Sequence, residues 1–163
     1  YSFYAGILEK NGDNFGATSM RKKAFDLETD LLKKAKYKLN FAEQAKSRGQ
    51  LVNARALARE ALSFNPNYGK AYLLIGRLYQ ESVNECGNNE FEKRMVYAAA
   101  LRQAQKAATV DQSISSVAAK YIASYRANLP DTKTIFTYGA NEGSSYTIKC
   151  WINETVTIQS SVK

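Results

Sequence analysis

The sequence predicts a mainly α protein: helical hairpins stacked into a solenoid, closed by a single helix and followed by a short β extension. Three observations predict it. Small residues recur at helical spacing in three places: Ala17 and Ala24; Ala54, Ala58 and Ala61; and Ala100, Ala104 and Ala107. Turn residues punctuate the chain around them, at Gly12-Asp13, Gly49 and Asn65-Pro66-Asn67. Beyond Pro130 the helical period disappears, and alternating β-branched and aromatic residues replace it.

Residues 1–31 read as a degenerate hairpin. Gly12-Asp13 is its turn, Arg21 stands where a bulky apolar residue is expected, and no proline closes it near Thr29. Residues 35–68 are the best-formed unit, with Gly49 between its helices and Pro66 after the second. The helix before Gly49 is extended at its start, around Leu31–Tyr37. Residues 69–114 form a third unit that opens on Tyr72, Ile75, Gly76 and Tyr79 at helical spacing. A glycine among large residues costs about 1 kcal/mol of helix propensity. Close packing against a neighbouring helix, here predicted to be the one carrying Ala54 and Ala61, offsets that cost. The stretch "ESVNECGNNEFEKRM", residues 81–95, interrupts this unit and reads as a loop because of Cys86-Gly87-Asn88-Asn89. Val117, Tyr121, Ile122 and Tyr125 then mark a single closing helix over 115–129.

Residues 131–163 read as a β-rich tail. Ile135–Tyr138, Ser145–Ile152 and Thr155–Ile158 look like strands broken by turns, with Gly139 and Gly143 in the first of them. So short a sheet must pack on something, and the last helices are the expected support, with Trp151 as anchor. The other reading is an extension ordered only by a partner. Cys86 and Cys150 lie in the two segments outside the hairpin pattern. Two states fit them: a disulfide stapling the tail to the third unit, or two buried thiols acting as small hydrophobes.

The charge and composition bound the function. The chain of 163 residues carries a net charge of +8 and has no histidine. Triads and dyads built on histidine, and histidine metal sites, are therefore excluded. Two cysteines are too few for a structural zinc site, and no glycine-rich phosphate loop appears. We therefore expect neither enzyme activity, nor a cofactor, nor a metal. The positive excess concentrates in 21–59, through Arg21, Lys22, Lys23, Lys33, Lys34, Lys36, Lys38, Lys46, Arg48, Arg55 and Arg59. Such a stretch suits a solvated helix surface or, alternatively, nucleic acid or another acidic polymer. No apolar run approaches the roughly 20 residues of a membrane span.

The positions Ala17, Ala24, Ala54, Ala61, Pro66, Tyr72, Gly76, Tyr79, Ala100 and Ala107, taken together, resemble the tetratricopeptide repeat, whose period is about 34 residues. Projected backwards, that pattern puts Tyr1 on its first aromatic position and Leu8 on its second, so the chain reads as a piece of something longer. The spacings of Ala17, Ala54 and Ala100, 37 and 46 residues, exceed the period by roughly three and twelve. Cys86-Gly87, Phe91–Ala107 and Trp151-Ile152-Asn153-Glu154-Thr155 are similar to segments of tetratricopeptide proteins from the Bacteroidetes cell envelope.

This resemblance implies a right-handed solenoid acting as a non-catalytic adaptor or scaffold, periplasmic or associated with the outer membrane. A protein partner would lie in the concave groove. The groove residues it implies are Lys36, Leu39, Asn40, Glu43 and Lys46 from one unit, and Lys70, Leu73, Leu74, Arg77 and Gln80 from the next. Lys36, Lys70 and Arg77 would form a basic stripe. Some family members clamp a peptide carboxylate with such a stripe and an asparagine, a role open to Asn40. Leu73 and Leu74 break that pattern, so the expectation is a mixed basic and apolar groove without a clamp.

Overall fold

The computed structural model describes residues 1–161, and the last two residues of the expected tail fall outside it. Nine α-helices lie in order among those residues: α1 Ser2–Lys10, α2 Asn14–Leu27, α3 Leu31–Ser47, α4 Leu51–Phe64, α5 Gly69–Glu81, α6 Val83–Cys86, α7 Glu90–Val110, α8 Ser115–Ala127 and α9 Thr132–Thr137. A single 3-10 turn, Gln112–Ile114, joins α7 to α8, and strands β1 Ser145–Thr147 and β2 Thr155–Thr157 follow α9.

Local chemistry sets the boundaries. Gly12 and Gly49 take left-handed φ values of +82° and +73°. Each ends its helix with a paired motif: Gly49 N–H donates to Lys46 O at 2.9 Å while Gln50 N–H reaches back to Ala45 O at 3.0 Å. Side-chain caps open the helices. Asp13 accepts from Gly16 N–H, Asp30 from Leu32 N–H, and Asn89 from Glu92 N–H, at 2.8, 2.8 and 2.9 Å.

Helices pair with their neighbours in sequence: α1 along α2, α3 along α4, α5 along α7, and α7 along α8. The unit-to-unit contact of α4 with α5 is extensive, whereas α2 meets α3 over only a few residues. The seams are lined with alanine. Ala17, Ala54, Ala58, Ala61, Ala100, Ala104 and Ala107 are all buried, and Ala24 is half-buried at the thinly packed end. α5 is deeply enclosed, burying Leu73, Leu74, Ile75, Leu78 and Tyr79.

Three expectations change. First, the segment read as a loop over 81–95 is mostly helical, lying in the end of α5, α6 and the start of α7. Asn88 N–H donates to Glu92 Oε2 at 2.8 Å, while Asn89 Oδ1 accepts from Glu92 N–H. This reciprocal cap starts α7 at Glu90, so only Gly87–Asn89 separate α6 from α7. Second, the tail is not β-rich. Ile135–Tyr138 belongs to α9 and its C-cap, with Asp131 Oδ1 accepting from Thr134 N–H at 2.7 Å. Gly139 ends α9 as Gly49 ends α3: Ala140 N–H donates to Ile135 O at 3.1 Å. The run Ser145–Ile152 is strand from Ser145 only as far as Thr147 and then turns through Cys150 and Trp151. Third, Gly76 does not face Ala54 and Ala61. A Cβ there would lie 3.2 Å from Ala100 O and 3.6 Å from both Gln103 Cβ and Tyr125 Cε2, so the close approach is to α7 and α8.

The tail does pack on the helices. β1 and β2 pair antiparallel, Tyr146 opposite Val156, and the ladder continues through Ile148 N–H to Glu154 O at 3.0 Å and Gly143 N–H to Ile158 O at 2.8 Å. Its apolar side chains Ile148, Ile152, Val156 and Ile158 join the same core as α4, α5 and α7.

Candidate functional site: the face shared by α3 and α5

Of the ten predicted groove residues, seven reach the surface. Lys36, Asn40, Glu43, Lys70 and Gln80 are exposed, and Lys46 and Arg77 are half-buried. Leu39, Leu73 and Leu74 are core residues, 7%, 8% and 1% exposed, and do not line a groove. The helical period explains this. In α3, Leu39 falls on the buried row Ala35, Leu39, Ala42, Ala45. In α5, enclosure by α4 and α7 leaves only a narrow outer strip. The apolar half of the expected mixture is therefore withdrawn into the core, and the seven predicted positions that reach the surface are all polar or charged.

Two ion pairs join the two helices. Arg77 Nη1 lies 3.2 Å from Glu43 Oε1, and Lys46 Nζ lies 2.5 Å from Glu81 Oε1. The expected basic stripe is thus interrupted at Arg77. Lys36 and Lys70 have no ion pair among the described residues. Exposed pairs of this kind stabilise little, roughly 0–1 kcal/mol each. Their value is geometric, because they hold charged groups of successive hairpins on one surface.

That surface runs on toward α8. Gln80, Val117, Lys120, Tyr121 and Ser124 line a cleft of about 350 Å³ between α5 and α8. Tyr121 stacks obliquely on Tyr125, with ring centroids 5.8 Å apart. Tyr125 is 1% exposed and its hydroxyl has no hydrogen-bond partner among the described residues. Burial, then the neighbouring Tyr121, holds its ionisation above the ordinary tyrosine range.

The tail covers a different side, where sequence reasoning missed a central residue. The Glu154 carboxylate accepts from the Tyr79 hydroxyl and from Arg102, and pairs with Arg59 at 3.2 Å. Arg55 donates to Trp151 O and Ile152 O, both at 2.7 Å, with its guanidinium 4.8 Å from the Trp151 ring centre. Trp151 in turn meets Tyr79 edge-on at 5.8 Å. Burial and the Glu154 carboxylate push the Tyr79 phenol up to about 12. A lone acid immediately before a strand without charged residues, with three arginines on nearby helices, was the legible signal. Cys86 and Cys150 form a disulfide, linking α6 to the turn that carries Trp151.

Much of the basic stretch 21–59 is therefore occupied within the molecule. Arg55 and Arg59 hold the tail, Lys38 pairs with Glu60 at 2.6 Å, Arg21 pairs with Glu9, and Lys46 pairs with Glu81.

Comparison with protein-family models, curated proteins and solved structures finds no match. Among the described residues, no helix is long and apolar enough to cross a membrane.

Proposed function

We propose that the protein is a non-catalytic interaction module, a solenoid of tetratricopeptide type with right-handed hairpin stacking, that holds a segment of another protein on the α3–α5–α8 face. The observation that carries this reading is the gathering of Lys36, Asn40, Glu43, Lys46, Lys70, Arg77 and Gln80 from two successive hairpins onto one strip. The inter-helix pairs Glu43–Arg77 and Lys46–Glu81 register that strip, and the Gln80–Tyr121 cleft extends it. Fixed, alternating charges suit a charged peptide better than an apolar one, because the partner exchanges one set of ion pairs for another. The disulfide supports an oxidising compartment outside the cytoplasm, such as a bacterial cell envelope, as the place of work.

Site-specific photocrosslinking tests the surface. A crosslinker replacing Gln80 should give protein adducts in the native organism, lost on Lys70→Glu with Arg77→Glu. One replacing Thr109, an exposed residue of α7, should give none. Equal labelling from both positions, or adducts indifferent to the double charge reversal, would dispose of the proposed face.

A further inference from the structure

We infer that the seam between the first hairpin and the α3–α4 hairpin is a second binding site, for an acidic peptide segment bearing an aromatic or aliphatic anchor. It is independent of the face described above. Where α2 and α3 touch so sparingly, a cleft of about 330 Å³ opens, with Lys22, Phe25, Phe41, Arg48, Asn53 and Leu57 among its walls. A second hollow of about 270 Å³ adjoins it, sharing Thr18, Gln44 and Arg48. The two make one elongated depression, long enough for several residues of extended chain at about 3.3 Å each.

The walls state the chemistry of the occupant. Phe25, Phe41 and Leu57 are half-buried, and neither phenylalanine joins the main core. They offer apolar surface for one large side chain. Lys22 and Arg48 are exposed and have no ion pair among the described residues. The other cations nearby are engaged: Lys38 pairs with Glu60 and lies 4.6 Å from the centre of the Phe25 ring, and Arg21 pairs with Glu9. Asp26 is the sole acid in the larger cleft, so the lining carries unanswered positive charge. Between the charges stand the amides of Gln44, Gln50 and Asn53. An amide side chain both donates and accepts, matching a peptide's own N–H and C=O. An acyl chain would want an unbroken apolar wall, and a nucleic-acid backbone would want more than two free cations and no carboxylate. A carboxylate beside a phenylalanine or leucine satisfies the whole lining.

The probe is a fluorescein-labelled hexapeptide, Asp-Glu-Leu-Phe-Glu-Asp with a C-terminal amide, titrated by anisotropy at low salt. Saturable binding should weaken at least about tenfold on Lys22→Glu with Arg48→Glu, two exposed positions, with an unchanged circular dichroism spectrum as the check on folding. The Asn-Gln-Leu-Phe-Gln-Asn analogue should lose about as much against the native protein. Lys70→Glu with Arg77→Glu should leave binding unchanged, which separates this site from the α3–α5 face. Three results would overturn the assignment: no saturation, affinity indifferent to Lys22 and Arg48, or loss only in the Lys70 and Arg77 variant. Displacement of the probe by single-stranded oligothymidylate at equal affinity would overturn it too, in favour of a polyanion surface.

Discussion

The two ends of the molecule use the same alanine spacing and reach different results. The first hairpin buries only Ala5 and Ala17 and leaves Tyr1, Phe3, Tyr4 and Phe15 60%, 80%, 65% and 88% exposed. Its ties to the rest are few, among them Ser2 Oγ to the Tyr37 hydroxyl at 2.5 Å, Phe25 edge-on to Phe64 at 5.9 Å and Lys38 over the Phe25 ring. The α5–α7–α8 end encloses Tyr79, Met95, Leu74, Leu78 and Tyr125, and the tail is fastened over it by Glu154, Arg55 and a disulfide. Small residues let two helices approach. Enclosure by a third layer is what turns that approach into a closed core.

The sharpest way to break the contrast is to unfasten the closed end. Cys86→Ser with Cys150→Ser opens a link across 64 residues of sequence, and the loss should be about 2–4 kcal/mol, chain entropy setting the upper end. Urea melts should show it, while the first hairpin's circular dichroism signal at low denaturant stays unchanged. Next comes Gly76→Leu. With Ala100 O already 3.2 Å from the site of a Cβ, overpacking should cost about 3 kcal/mol and separate α5 from α7, again read in denaturant melts.

Alkaline titration probes the same end more gently. Tyr79 ionises at about 12 rather than its ordinary 10. The fold therefore favours the protonated phenol, and that contribution is complete below pH 10 and lost as pH rises toward 12. Tyr79→Phe should flatten the fall in melting temperature across that window, removing up to about 2 kcal/mol of its pH dependence. Smallest of all, Phe15→Ala at the open end should change stability by less than about 0.5 kcal/mol, because an 88% exposed ring has little contact to lose.

The contrast also explains what could be read beforehand. Hairpin turns at Gly12 and Gly49, the closing helix and the buried alanines follow from local chemistry, which a sequence displays directly. The tail helix was hidden because Thr-Ile-Phe-Thr favours strand by propensity. Asp131 and Gly139, a cap and a stop eight residues apart, decide otherwise. The start of α7 was hidden in the same way, its Asn89–Glu92 cap lying inside an asparagine-rich stretch that looks like a turn. Leu39, Leu73 and Leu74 were misplaced because repeat register specifies a helix face, whereas burial depends on how many neighbours surround the helix. Glu154 escaped notice because its partners are 52 to 95 residues away along the chain.

Native-state hydrogen exchange tests the division of the molecule most directly. Amides of 2–27 should open at a small fraction of the global unfolding free energy, while those of α5 and α7 exchange only when the whole chain unfolds. Equal protection across α2, α5 and α7 would contradict it.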